Sequence, residues 1–236
     1  MNILLIAGHG NGDPGACGCG YQEATETRRM VDALAPRLRA RGCDVDVFDK
    51  SQNAYDVVRY GGALPLADID YVVECHLNAG VGDQGGNGYT TGTEVLVHAS
   101  EPSTTVEQCI LNNICALGFT NRGVKRRNDL AVMGYVINNG ISHALIETCF
   151  IDDADDMALY ERKFDEVAKA IADGIAEGFG LEGGSEVEEE KNQEPSKWAA
   201  ESWAKAHEMG LLDGTRPKDA VTREELATVL VRLAEK

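Results

Sequence analysis

Several features that mark particular classes of protein are missing from this sequence. No stretch approaches the ~20 consecutive apolar residues that a membrane-spanning helix needs. Basic residues are scarce, with 22 Lys and Arg against 39 Asp and Glu, which gives a formal net charge of −17. Nucleic-acid binding requires clustered positive charge to neutralise phosphates. We therefore expect neither a membrane nor a nucleic acid as a partner.

The start of the sequence lacks the pattern of a secretory leader. A basic segment, an apolar segment and a small-residue cleavage site do not follow one another, and a strand-like segment begins at Asn2 instead. The cysteine count of seven is odd, and several cysteines lie in apolar segments, where a free thiol behaves as a small hydrophobic side chain. These features predict a chain that is synthesised in the cytoplasm with reduced thiols.

Strand-like and helix-like segments alternate over the first 180 residues. The predicted strands are residues 2–7, 44–48, 71–76 and 93–97, and the predicted helices are residues 22–40, 55–60, 105–117 and 156–179. Two further apolar runs cover residues 131–137 and 144–146. This alternation predicts an α/β fold, in which helices flank a mostly parallel twisted sheet.

The composition changes after residue 180. Residues 181–195 are rich in glutamate and lack periodicity, which predicts a solvated linker. Residues 196–236 contain two helical patterns, at 196–209 and 222–234, and Thr222 with Glu225 forms a capping box for the second. The predicted organisation is one domain of ordinary size over 1–180, a linker over 181–195 and a small helical module over 196–236.

The glycine-rich loop that follows the first predicted strand admits two interpretations. Gly10, Gly12 and Gly15 spell G-x-G-x-x-G, and Asp49 after the second strand stands where a ribose-binding acid is expected in dinucleotide enzymes. That motif needs its helix to start within the glycine pattern, whereas residues 16–20 postpone the helix here. The alternative is that His9, at the end of the strand, is the functional residue.

His9 has partners at the same predicted edge of the sheet. His76 and Glu147 also end predicted strands, and Glu23 lies in the first turn of the helix after the His9 loop. Two histidines and one glutamate are a ligand set typical of catalytic zinc, and they leave a further carboxylate as a general base. Each residue has a structural alternative, because a strand-end histidine is often simply hydrogen-bonded and Glu23 complements a helix dipole.

Other metal-type residues lack a matching pattern. Cys17, Cys19 and Cys75 are soft ligands, but a structural zinc site needs a second pair of cysteines at suitable spacing, and the sequence has none. The remaining histidines have no partner pattern and are predicted to be structural. They are His98, His143 and His207.

Four motifs occur in an order that resembles a known family. They are GHGNGDPGA at residues 8–16 followed by Glu23, CHLNA at 75–79, GTEV at 92–95 and IETCF at 146–150. Together they resemble the zinc-dependent N-acetylmuramoyl-L-alanine amidases of type 3, and the resemblance covers about the first 180 residues. It implies zinc (Zn2+) bound by His9, Glu23 and His76, with Glu147 as the catalytic carboxylate. The implied substrate is bacterial peptidoglycan, cleaved between N-acetylmuramic acid and L-alanine.

Substrate contacts are predicted for Asn78 and for two arginines. Asn78 belongs to the H-x-N-A motif, and Arg126 and Arg127 belong to a basic cluster, Lys125-Arg126-Arg127, of a kind that is rare in this acidic domain. The arginines are expected to contact carboxylates of the stem peptide, with a solvated surface run as the alternative. The chain departs from the family pattern in the glycine spacing near Asn11 and at Cys149, where a glycine is common.

The C-terminal residues resemble a different module. The string WAAESWAKAHEMGLLDG at residues 198–214 and the string TREE at 222–225 are similar to a single S-layer homology module. The resemblance implies binding to a secondary cell-wall polymer. The alternative is a helical hairpin that packs on the first domain or forms a homo-oligomer with a second subunit, with Trp198, Trp203, Leu226 and Leu230 as its core.

These expectations combine into one main hypothesis and two alternatives. The main hypothesis is a phage or prophage endolysin, made in the host cytoplasm and active on the wall after release. The alternatives are a non-catalytic wall-binding protein with a vestigial metal site and a nicotinamide-dependent enzyme.

Overall fold

A computed structural model describes residues 1–181 and 200–209, together with the single positions 211, 231 and 233. The chain divides into two compact units, Met1–Gly184 and Ser185–Lys236. The strands of the described residues are β1 (Asn2–Ala7), β2 (Cys17–Gly18), β3 (Tyr21–Gln22), β4 (Asp44–Val47), β5 (Tyr71–Asn78), β6 (Thr93–His98), β7 (Asn121–Arg127) and β8 (Ser142–Phe150). The helices are α1 (Glu23–Arg39), α2 (Ala54–Arg59), α3 (Thr105–Cys115), α4 (Ala131–Asn138), α5 (Ala154–Arg162), α6 (Phe164–Gly178) and α7 (Ala200–Glu208).

Six strands of the first unit form one sheet in the order β4-β1-β5-β8-β6-β7. The strands from β4 to β8 are parallel, β6 is antiparallel to β8, and β7 is parallel to β6. The carboxyl ends of β1, β5 and β8 therefore meet the amino ends of β6 and β7 at one edge. Because the residues predicted as metal ligands and catalytic carboxylate belong to this edge, we call it the catalytic edge. The predicted α/β class with a mostly parallel sheet is confirmed.

Helices cover both faces of this sheet. Ile3 and Leu5 of β1 pack with residues of α1, α3 and α6, whereas Leu4 and Ile6 point to the other face and pack with residues around α2 and α4. All four are fully buried. Burial on both faces explains why β1 is a continuous apolar run rather than an alternating one.

The structure differs from the sequence-based prediction in two segments, and it defines the secondary structure of a third that was predicted only as an apolar run. Residues 156–179, predicted as one helix, form α5 and α6, which are separated at Lys163. The apolar run 131–137 is a helix, α4. Strand β7 was not predicted, because it is an edge strand whose sequence, NRGVKRR, carries polar side chains in place of the usual β-formers.

The C-terminal unit is described only in part. Helix α7 lies within the first predicted tail helix. The predicted linker 181–195 lies outside the described residues except for residue 181. The second tail helix 222–234, with its capping box at Thr222 and Glu225, also lies outside them except for positions 231 and 233. Within the described ranges, no helix combines the length and apolarity required to cross a bilayer.

Candidate metal centre

His9 lies in the loop that leaves β1 at the catalytic edge. The amide N–H of Gly8 still donates to the Cys75 carbonyl of β5, at 3.0 Å, and so carries the sheet pairing up to the loop. His9 itself has a φ of 61°, a left-handed conformation that non-glycine residues rarely adopt. The Arg28 guanidinium holds this turn, because it donates to the carbonyls of both Gly8 and His9 at 3.1 and 2.9 Å. The loop is therefore fixed by the following helix.

Glu23 joins His9 to His76. Its Oε2 lies 3.0 Å from His9 Nε2, and its Oε1 lies 2.8 Å from His76 Nδ1. One ligand atom from each of the three side chains lies within 4.8 Å of the others. Backbone N–H groups of Ala16 and Leu77 also donate to the Glu23 carboxylate, at 2.9 and 3.1 Å, and Glu23 is 3% exposed. The structure thus brings together the three residues predicted as metal ligands.

The glycines of the loop make room for this cluster. A Cβ atom at Gly8 would lie 2.3 Å from Cε1 of His76, and one at Gly15 would lie 2.7 Å from both Glu23 Oε2 and His9 Cδ2. Helix α1 begins only at Glu23, so Gly10, Gly12 and Gly15 do not present a helix N-terminus to a phosphate. The G-x-G-x-x-G string therefore serves the approach of the His and Glu side chains, and the dinucleotide interpretation has no support in the structure.

Glu23 and the two histidines of the cluster shift one another's pKa values. Burial acts to raise the pKa of Glu23, but hydrogen bonds with His76 and His9 outweigh it and hold that pKa well below its usual range. Burial acts to lower the pKa of His76, and its contacts with Glu23 and Glu74 raise it well above the usual value. Two imidazoles and a carboxylate fit a three-ligand transition-metal site, in which a metal ion competes with protons for the same nitrogens.

Glu147 lies beside this cluster on β8. It is directly in register with His76 of β5 on one side and with Glu94 of β6 on the other. The side chain is half-buried, and its Oε2 has no hydrogen-bond partner among the described residues. Burial is the main cause that raises its pKa to about 7; His76 opposes the rise, and Glu23, Glu94 and Glu74 add to it. A carboxyl group with such a pKa can exchange protons near neutral pH.

The predicted substrate residues fall in different places. Asn78 lies at the catalytic edge, where its Nδ2 donates to Glu94 Oε1 at 3.1 Å. Arg126 and Arg127 do not join the cluster, because β7 runs antiparallel to β8 and carries its last residues toward the opposite edge. There Arg126 donates to backbone carbonyls and Arg127 pairs with Asp129 at 2.6 Å. These two arginines, predicted as substrate contacts, therefore do not lie among the residues of the metal cluster.

Arg122, which the sequence analysis missed, is the arginine of β7 that faces the catalytic edge. Its Nε donates to Glu94 Oε2 at 2.8 Å, and its guanidinium lies 4.7 Å from the ring centroid of Phe150. Lys125 also pairs with Glu94. Burial acts to raise the pKa of Glu94, but these two cations lower it overall. The GTEV motif contained Glu94, but its cationic partners became visible only through the pairing of β6 with β7.

Two more polar residues lie under the cluster. Glu74 is 5% exposed, and His143, predicted to be structural, is fully buried. Burial acts to raise the pKa of Glu74, but hydrogen bonds from His143 and His76 outweigh it and lower that pKa to about 2. An ionised carboxylate therefore lies behind the metal cluster. Neither residue follows a recognised motif, and only their places on adjacent strands connect them.

Comparisons with known proteins agree with this geometry. A family model described as N-acetylmuramoyl-L-alanine amidase matches residues 3–177. The chain is 30% identical over 188 residues to "Probable autolysin PH" of Staphylococcus aureus, covering 73% of this chain and 38% of that protein. It is 27% identical to the "Sporulation-specific N-acetylmuramoyl-L-alanine amidase" of Bacillus subtilis, covering 77% of this chain and 69% of that one. The chain thus spans much less than the full length of the first of these relatives.

Solved structures show the same fold. The catalytic domain of the CD27L endolysin, described as targeting Clostridia difficile, superposes with a TM-score of 0.60 at 25% identity, over 75% of this chain and 97% of that one. An N-acetylmuramoyl-L-alanine amidase from Clostridium difficile 630 gives a TM-score of 0.63 at 20% identity, over 78% and 98%. With the family match spanning most of the chain and the four motifs converging on one edge of the sheet, this chain belongs to the N-acetylmuramoyl-L-alanine amidase family.

Proposed function

We propose that this protein is a zinc-dependent peptidoglycan amidase. It hydrolyses the amide bond between the lactyl group of N-acetylmuramic acid and the L-alanine of the stem peptide. One observation carries the proposal: His76 of the His9, Glu23 and His76 cluster is directly in register, on the neighbouring strand, with Glu147, a half-buried carboxyl group whose pKa is raised to about 7. Family membership and the name of the Bacillus subtilis relative support the same bond as the target.

The residues present fit a zinc ion. His9 Nε2, His76 Nδ1 and the Glu23 carboxylate would hold it, and three protein ligands leave a position open for water or substrate. When bound, zinc supplies Lewis-acid chemistry, since it polarises an amide carbonyl and lowers the pKa of water to around 7. The same donor set suits other divalent transition metals, so geometry and supply decide between them.

Glu147 is the proton carrier of the proposed reaction. Its unpartnered Oε2 is the atom that would accept a proton from the attacking water and deliver it to the leaving nitrogen of L-alanine. A cation in the neighbouring cluster favours the carboxylate form of Glu147, because an opposite charge lowers the pKa of an acid. The residue therefore enters the reaction as a base and leaves it as an acid. Through their hydrogen bond, Asn78 of β5 and Glu94 of β6 join the ends of the two strands that flank β8.

Mass spectrometry of digested peptidoglycan tests the proposal. Purified walls are incubated with the parent protein, with chelated protein, and with chelated protein that has received zinc again. We expect free stem peptides with an L-alanine amino terminus, lost after chelation and restored by zinc. Glu147→Gln should abolish release, whereas Glu166→Gln, at an exposed position of α6, should not. New reducing sugar ends without free L-alanine termini would refute the amidase assignment.

We also propose that the protein acts as an endolysin, released from the cytoplasm to reach the wall. All seven cysteines are free thiols, which supports synthesis in a reducing compartment. Expression in a susceptible host should lower culture turbidity only after a membrane-permeabilising agent is added. Lysis without that agent would contradict the proposed route.

The C-terminal module is proposed to bind a secondary wall polymer. Its support is the resemblance of residues 198–214 to an S-layer homology module, and helix α7 lies in this segment. Full-length Glu147→Gln protein should sediment with intact walls and lose that binding when the polymer is stripped by acid. Equal binding to stripped walls would favour the alternative in which the tail helices pack within the protein or between two subunits.

A further inference from the structure

One carboxylate bridges two imidazoles in the interior of the sheet. Glu74 Oε1 lies 3.2 Å from Nε2 of His76, and Glu74 Oε2 lies 3.1 Å from Nε2 of His143. Glu74 and His76 are two residues apart on β5 and so share one face of the strand. His143 reaches the same face from β8. The three side chains form a continuous hydrogen-bonded row that ends at the metal cluster.

The part of this row around Glu74 has apolar neighbours. Leu145, directly in register with Glu74, packs with Leu96 and Met133 in a small buried cluster. Removing a carboxylate from water costs several kcal/mol, and well-packed hydrophobic residues commonly replace a buried ionic group without loss of stability. Packing alone therefore gives no reason for Glu74 and His143 at these positions. Their role must lie in what they touch.

What they touch is the outer nitrogen of a metal ligand. His76 Nδ1 faces Glu23 inside the cluster, so its Nε2 is left to donate to Glu74. A ring nitrogen that donates its proton outward leaves the other nitrogen with a lone pair for a metal. His9 shows the same arrangement, since its Nδ1 lies 2.8 Å from Asp13 while its Nε2 faces Glu23. Each histidine of the cluster thus has its own carboxylate behind it.

His143 completes the row from the far side. Its Nδ1 has no hydrogen-bond partner among the described residues, whereas its Nε2 lies within bonding distance of Glu74. A buried N–H without an acceptor would be costly, so the neutral tautomer with hydrogen on Nε2 fits the site. In that tautomer His143 donates to Glu74 Oε2 and fixes the orientation of the carboxylate.

We propose that Glu74 is a positioning residue that orients His76 for metal binding, and that His143 holds Glu74 in place. The inference rests on the proposed metal centre. Outer partners of metal-ligating histidines change metal affinity by about 10- to 100-fold when they are removed. The expected signature is therefore a loss of metal affinity that exceeds any general effect on folding.

The experiment measures zinc affinity and folding separately. Zinc Kd is obtained by competition with a chromophoric chelator, and Tm is measured on the metal-free protein, so neither readout depends on catalysis. Glu74→Gln keeps the side-chain volume but cannot accept from both imidazoles. Glu107→Gln is the matched control, because Glu107 is also a buried carboxylate, 3% exposed, which accepts a 2.6 Å hydrogen bond from Tyr71 and makes no contact with the cluster.

We expect Glu74→Gln to weaken zinc binding by about 10- to 100-fold and Glu107→Gln to leave it within about twofold of the parent. Unchanged zinc affinity in a folded Glu74→Gln protein would overturn the inference, as would an equal loss in both variants. If the parent itself binds no zinc, the proposed metal centre fails together with the inference. Parent binding with an unchanged variant removes the inference alone.

A second pair of variants covers the case in which Glu74→Gln does not fold. His143→Gln can still donate to Glu74, whereas His143→Leu has similar bulk and no donor. We expect His143→Leu to bind zinc about tenfold more weakly than His143→Gln, which corresponds to one hydrogen bond to a charged group. Equal zinc affinities in these two proteins would overturn the proposed role of His143 and, with it, the bridge through Glu74.

Discussion

Replacement of Gly8 by alanine isolates the steric demand of the metal centre. The new Cβ would lie 2.3 Å from Cε1 of His76, whereas ordinary contacts of this kind begin at 3.4 Å. The imidazole must therefore retreat by about 1 Å or rotate away, while metal sites tolerate errors of only about 0.2 Å in ligand distance. A misplacement of this size costs about 100-fold in the rate of a positioned reaction, so we expect wall hydrolysis to fall by at least that factor. Zinc affinity should fall as well, because one of the three ligands is displaced.

Gly12→Ala is the matched control. Gly12 belongs to the same loop, and a Cβ there would have no neighbour within 4 Å, although its φ of +91° strains any L-residue. We expect this variant to lose about 1–2 kcal/mol of stability from the backbone alone and to keep the zinc affinity of the parent. Overpacking at Gly8 should cost about 1–3 kcal/mol of stability as well, so the two proteins should differ in metal binding far more than in Tm.

The assay is zinc competition on both folded proteins, followed by turbidity clearing of purified walls. Parent-like zinc affinity in folded Gly8→Ala would refute the argument that the glycine exists to admit His76. A larger functional loss in Gly12→Ala than in Gly8→Ala would instead point to a ligand that contacts the outer part of the loop.

Three further predictions follow from the same structure. Burial raises the pKa of Glu147 to about 7. Between about pH 4.5 and pH 7 the folded metal-free protein therefore keeps a proton that the unfolded chain has released, so the free energy of unfolding falls as the pH rises. Glu147→Gln removes this dependence on pH, so the metal-free variant should have a higher Tm than the parent at pH 8 and a similar Tm near pH 4.5. Equal Tm values for the two proteins at both pH values would contradict the assigned pKa. Arg126→Ala and Arg127→Ala should each leave kcat/KM on soluble wall fragments within about twofold of the parent, because both arginines lie away from the catalytic edge. An increase in KM above about fivefold would instead show that these arginines contact the substrate. Asp156 is fully buried and accepts hydrogen bonds from the backbone N–H groups of Gly92 and Phe150 at 3.0 and 2.8 Å. Asp156→Ala should therefore lower the free energy of unfolding, measured by denaturant titration, by about 1–3 kcal/mol. A loss below about 0.5 kcal/mol would show that water replaces the carboxylate.

The sequence alone determined which apolar segments enter the core, although it did not give the ends of every element. Strand β1 is apolar without interruption because helices cover both of its faces, and that pattern is legible residue by residue. His9 and His76 were found because each lies at or near the end of such a strand, and parallel strands bring their carboxyl ends to one edge. Glu147 follows from the same rule. Local periodicity therefore predicted the α/β class, and the ends of the predicted strands pointed to His9, His76 and Glu147. The metal-ligand and catalytic roles of these residues came from the family resemblance and stay predictions.

Tertiary structure decided what periodicity does not encode. Strand β7 is polar and was missed, and the reversed direction of β6 and β7 depends on pairing between segments far apart in the chain. That reversal moved Arg126 to the opposite edge and brought Arg122 to Glu94. The bridge from His76 through Glu74 to His143 likewise needs two adjacent strands in register. Strand direction and register are realised through hydrogen bonds between segments that are far apart in the chain. The sequence of one strand therefore does not show which side chains of the neighbouring strand it will meet.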